Sequence, residues 1–121
     1  MEHAVKVSYY FTDNDLENIM ITALEGGIGY WACLDNSVWS KQPADMPTSE
    51  YAWEILQDGG TLHFLDEEDD GADYFLDLAG LFNGIGLCIR NKDWDGDMDN
   101  VDAIVADMII QYAIFGSVIY G

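Results

Sequence analysis

The chain has 121 residues, half of them apolar, and sets 23 acids against only Lys6, Lys41, Arg90 and Lys92, a formal net charge of −19. Such a charge repels nucleic acid and anionic membrane surfaces and favours basic proteins or multivalent cations. Four Trp, seven Tyr and five Phe exclude the aromatic-poor composition of a disordered acidic tail, so one folded domain over 1–121 is expected.

Residues 3–11 alternate, with Val5, Val7 and Tyr9 on one face, and predict a strand. Thr12, Asp13 and Asp15 supply a cap for a helix to about Glu25, with Leu16, Ile19, Met20, Ala23 and Leu24 as its apolar stripe. Gly26-Gly27 ends that helix through the left-handed C-terminal position. A second strand is expected over 28–35, then a loop over 36–48 containing Pro43 and Pro47. Thr48-Ser49-Glu50 opens a short helix that Gly59-Gly60 closes. Residues 61–65 and 74–76 read as a hairpin around an acidic turn, Asp66 to Asp70 followed by Gly71.

Asp77 caps a predicted helix over 78–90, in which Gly80, Gly84 and Gly86 either weaken the helix or admit a close neighbour. After the acidic loop 91–100, residues 101–115 predict a mostly buried helix that Gly116 stops, with Asp99 or Asn100 as its cap. Residues 117–120 add a last strand. The expected class is α+β, in the order β-α-β-α-β-β-α-α-β: a small antiparallel or mixed sheet with helices packed on one face.

Cys33 and Cys88 sit in apolar runs without a CxxC pattern and read as buried free thiols of a reducing compartment. The first residues lack the layout of a signal peptide, and no apolar run approaches the roughly 20 residues of a membrane span. A cytoplasmic protein is expected.

Three groups of residues are candidates for function. Asn91, Asp93, Asp95, Asp99 and Asp102 put oxygen ligands at positions 1, 3, 5, 9 and 12 of the EF-hand loop, with Gly96 at position 6 and Asp97 after it as a further candidate ligand, and make Ca²⁺ the one cofactor to consider. Asn91 lacks charge, and Asp102 is one methylene shorter than the usual bidentate Glu, so tight binding is not expected. The second group is Asp66, Glu67, Glu68, Asp69, Asp70, Asp73 and Asp77. These seven, with the six Asp between 93 and 107, hold 13 of the 23 acids. The third is the string Asp93, Asp95, Asp97, Asp99. In an extended chain its members would lie roughly 6.6 Å apart, comparable to phosphates along a nucleic-acid strand. Trp94 within the string is either an interface anchor or folded back onto the core.

Catalytic signals are weak. His3 and His63 stand alone, no pair of ligands has zinc spacing, and neither Gly-rich stretch completes a phosphate loop. No enzyme is expected.

Thr22-Ala-Leu-Glu-Gly-Gly-Ile-Gly-Tyr-Trp31, Gly59-Gly-Thr-Leu-His-Phe-Leu65 and Asp107-Met-Ile-Ile-Gln-Tyr-Ala-Ile-Phe-Gly116 resemble a family of small acidic proteins of phages and prophages of Gram-positive bacteria. The resemblance implies an accessory protein acting in the infected cell's cytoplasm, a setting in which inhibitors of host defence include mimics of DNA. It carries over no functional residues. Together with the charge, it makes the leading expectation an inhibitory binding protein. Asp66, Glu67, Glu68, Asp69, Asp70, Asp73, Asp93, Trp94, Asp95, Asp97 and Asp99 would dock on a basic, nucleic-acid-binding host protein such as a CRISPR effector or restriction enzyme. The alternatives are a Ca²⁺ module, a sponge for a small nucleotide signal, and a structural or assembly subunit.

Overall fold

The structure, a computed structural model, describes residues 1–121. Helix α1 (Asp13–Thr22) starts at a complete capping box: the Thr12 hydroxyl accepts from the Asp15 amide, and the Asp15 carboxylate accepts from the Thr12 amide. A π turn over Ala23–Gly27 continues it, and β1 (Ala32–Leu34) follows. Helix α2 (Thr48–Gln57) ends where Gly59 takes φ +88. The hairpin β2 (Leu62–Asp66) and β3 (Asp73–Leu76) leads into α3 (Leu78–Arg90), a 3₁₀ turn over Met98–Asn100, and α4 (Ala103–Phe115).

The sheet is antiparallel throughout, in the order β1-β2-β3, with Cys33 opposite Leu65 and His63 opposite Phe75. Alternation along the strands divides the residues between two faces. Leu62, Phe64 and Leu76 enter a core of 21 buried apolar residues shared with all four helices. Cys33, His63, Leu65, Asp73 and Phe75 lie on the other face, where Phe75 is 65% exposed. The expected class therefore holds: a small α+β fold with helices on one face of the sheet.

Helix α3 packs on α4 through Gly84, where a Cβ would stand 2.5 Å from the Ile109 carbonyl oxygen and 2.7 Å from the Ala113 Cβ. Of the two readings for the α3 glycines, the close neighbour applies at Gly84. Gly27 is needed for the same reason and not as a left-handed stop, since its Cβ would lie 2.9 Å from the Ala103 carbonyl oxygen. The α1 segment thus ends against α4. Gly116, at φ +74, stops α4 as expected.

Four expectations are corrected. Residues 3–11 form no strand: they make no backbone hydrogen bond to any element, and Val7, Tyr9 and Phe11 instead line a groove with Phe82, Ile85 and Ile89 of α3. The expected strand 28–35 shrinks to Ala32–Leu34, because the Ile28 carbonyl accepts the amides of Trp31 and Ala32 in a turn. Residues 117–120 are not a strand either, since the Gln111 side-chain oxygen accepts the amides of Ile119 and Tyr120 at 2.8 Å each. The cap of α4 is Asp102, whose carboxylate accepts from the Val105 amide. Asp99 and Asn100 belong to the 3₁₀ turn before it.

No helix is long and apolar enough to cross a membrane. Both cysteines are free, Cys88 buried and Cys33 half-buried.

Candidate interaction surface

Two buried carboxylates organise the molecule, and both had a different meaning in the sequence. Asp107, on α4, accepts from the Tyr30 hydroxyl, from Trp31 Nε1 at 2.8 Å and from Gln111 Nε2 at 3.0 Å. Burial, then the Asp107 carboxylate, pushes the Tyr30 hydroxyl up to about 12. Gln111 completes the closure by donating to the Tyr120 carbonyl while its own oxygen holds the last amides. The Gly-Gly-Ile-Gly-Tyr-Trp and Asp107-to-Gly116 stretches are thus two halves of one polar staple.

Asp66 is the second. It is fully buried at the end of β2 and cannot face a partner, which corrects its place in the acidic surface. One carboxylate oxygen accepts the amides of Glu68 and Asp69; the other accepts the hydroxyls of Tyr120 at 2.7 Å and Tyr74 at 3.2 Å. Burial pushes the Asp66 carboxyl up, but these four donors outweigh it and hold it below the usual carboxylate value. The same arrangement shapes the hairpin tip. With Asp70 and Gly71 at positive φ and the Gly71 amide donating to the Asp66 carbonyl, the turn presents Glu67, Glu68, Asp69 and Asp70 outward, all exposed.

On the open sheet face, His63 lies between two carboxylates, Nδ1 at 3.0 Å from Asp35 and Nε2 at 2.6 Å from Asp73, and stacks on Phe75. The hydrogen bond to Asp73 raises the imidazole above its ordinary value, against partial burial. Both ring nitrogens are engaged by carboxylates, an arrangement that favours the protonated ring. Charge alternation in the sequence gave no sign of this clamp, because Asp35 lies far from the hairpin in the chain.

The loop 91–102 behaves differently. Asn91 donates to the Leu87 carbonyl, Asp93 accepts the Tyr112 hydroxyl, and Asp95 accepts the Asp97 amide and the Asn100 side chain. Asp97 accepts the Asp99 amide, and Asp102 caps α4. The ring of oxygens expected of an EF-hand does not assemble, and no group of three or more His, Cys, Asp or Glu is placed to hold a metal ion. Gly96 does take the expected sharp turn at φ +82. Nor is the segment an extended array of evenly spaced charges: it is bends and a 3₁₀ turn, with side chains tied to local amides. Trp94 is folded back, 4% exposed, its ring 5.5 Å from that of Phe11 in a tilted contact and its indole N–H donating to the Asp97 carbonyl, so it is a core residue and not an interface anchor.

The only ion pairs in the chain are those of His63; no Lys or Arg neutralises a carboxylate. Beside Glu67 opens a cleft of about 400 Å³ lined by Leu24, Ile28 and Cys33, with Glu25 also at its wall. Burial, then Glu67, pushes the Cys33 thiol up. Comparison of the chain with protein-family models, with curated proteins and with solved structures gave no match.

Proposed function

We propose that the protein is a non-catalytic inhibitor whose acidic surface occupies the basic, nucleic-acid-binding cleft of a host defence nuclease, such as a CRISPR effector or restriction enzyme. The observation that carries this reading is the hairpin tip. Glu67, Glu68, Asp69 and Asp70 stand exposed on a turn shaped by Asp66, and no lysine or arginine of the chain pairs with them. A pre-shaped array of unneutralised carboxylates lowers the ordering cost of binding a cationic surface. It exchanges counterions with that surface as a nucleic-acid backbone would. The exposed carboxylates Asp73, Asp93, Asp95 and Asp97 add to the field but are committed to His63, to Tyr112 or to local amides, while the Asp99 carboxylate accepts no hydrogen bond and adds to the field freely. The cleft beside Glu67 suits a lysine or arginine side chain of the partner, with its stem on Leu24 and Ile28 and its head toward Glu25 and Glu67.

The test is capture of partners from host lysate on the immobilised protein, eluted with a salt gradient. A nucleic-acid-binding enzyme released between roughly 0.1 and 0.5 M salt supports the reading, because screening shortens to a few ångströms over that range. The variant Glu67→Lys/Glu68→Lys/Asp69→Lys, with net charge −19 + 6 = −13, should no longer capture it. Capture unaffected by salt and by this variant would sink the proposal.

A further inference from the structure

The first eleven residues and the outer edge of β3 each lack a partner of the same kind. Residues 1–11 have the alternation of a strand, yet no backbone hydrogen bond engages them, and Val5 and Val7 are 84% and 71% exposed. At β3 the ladder to β2 starts from the Asp66 amide donating to the Ala72 carbonyl. In an antiparallel pair the bonded positions alternate, so Phe64 with Tyr74 and Leu62 with Leu76 are the bonded pairs. The amides and carbonyls of Asp73 and Phe75 therefore point away from the sheet, and no other strand joins that edge. An open edge beside an exposed aromatic is a template for strand addition.

Charge selects what fits there. The edge carries Asp73 and adjoins the acidic tip, so most of this protein's surface is repelled from it. Residues 1–11 are the exception: Glu2 and Lys6 cancel, while residues 12–121 hold 22 acids and three bases, the whole −19. Laid along β3, the segment would place Lys6 on the open face beside Asp73 and Phe75, and Val5 and Val7 on the side of Tyr74 and Leu76. Its period of two matches the sheet. Within its own molecule the segment uses Val7, Tyr9 and Phe11 on the α3 groove and leaves β3 open.

We infer that the edge of β3 receives residues 3–8 of a second copy of this chain, giving a reciprocal two-fold dimer with a fourth strand in each sheet. The dimer is independent of the acidic tip's partner.

The experiment is light scattering of the full chain over about 20–500 µM at roughly 0.3 M salt, where repulsion between like-charged copies is screened. Amide exchange at Asp73 and Phe75 is followed in parallel. The expected result is a mass rising to twice 13.5 kDa, with those two amides protected in the dimer. Consecutive residues of a strand point their amides to opposite sides, so Val5→Pro/Lys6→Pro removes a donor in either register. It should restore the monomer and the exchange while leaving the helical circular dichroism unchanged, because residues 5 and 6 lie outside every element. Lys6→Glu should weaken the dimer at least tenfold, by placing a carboxylate beside Asp73. A 13.5 kDa mass at every concentration overturns the inference, whether or not the amides are protected. So does a dimer that survives the double proline variant.

Discussion

The hairpin 66–73 and the loop 91–102 look alike as strings of Asp and Glu, yet the fold uses them in opposite ways. In the loop nearly every carboxylate accepts from a nearby amide, hydroxyl or side chain, so the charges serve as turn and cap residues. In the hairpin one carboxylate, Asp66, is buried and takes four donors, Asp73 holds His63, and the side chains of Glu68, Asp69 and Asp70 accept no hydrogen bond. The difference teaches that acidic density is not acidic display. A carboxylate available to a partner is one that its own backbone has not already used.

The comparison is broken most severely at the buried carboxylates. Asp107→Ala strips three donors of their acceptor. Of the three, only the Trp31 indole N–H is buried and left unpaired, since Tyr30 reaches solvent and Gln111 keeps the Tyr120 carbonyl, so a loss of about 1–3 kcal/mol is expected in urea unfolding. Asp66→Ala should destabilise too, and should also loosen the tip, read as faster amide exchange at Glu68 and Asp69. An Asp66→Ala protein with a rigid tip would refute the assigned role. Gly84→Ala forces a methyl into the α3–α4 contact and should cost about 1–3 kcal/mol, measured the same way.

Smaller effects sharpen the contrast between the two acidic segments. Asp95→Ala and Asp97→Ala each remove a side-chain acceptor and should lower the melting temperature, while the Asn variants, which keep an accepting oxygen, should largely restore it. Glu68→Lys and Asp69→Lys accept no side-chain role and should leave the melting temperature unchanged or raised, because self-repulsion falls. Equal losses from both segments would erase the distinction.

The smallest effect expected is at His63. Its folded value is raised above 6.5, so the clamp's contribution is complete below about pH 6.5 and fades as pH climbs through the raised value. Melting at pH 5.5 and 8.5 should show a stability difference that His63→Gln removes. Asp66 has the opposite sign: held below 3.8, it stabilises above that value and loses its effect as pH falls through the folded one.

Local chemistry was legible in the sequence wherever neighbours in the chain decide the outcome. The capping box at Thr12, the cap at Asp77, the stops at Gly59 and Gly116 and the helix over 78–90 all depend on residues within one turn of each other. The α+β class followed from their order. What the sequence alone could not settle was partnership across the chain. Alternation marked residues 3–11 as strand-like without saying whether an edge would be within reach, and Gln111 took the amides that residues 119 and 120 would have offered to a sheet. The fate of each charge had the same cause. Asp66 and Glu67 are adjacent and chemically alike, but only one points under Tyr74 and Tyr120, and that was decided by tertiary packing, which alone brings residues 54 positions apart into one hydrogen bond.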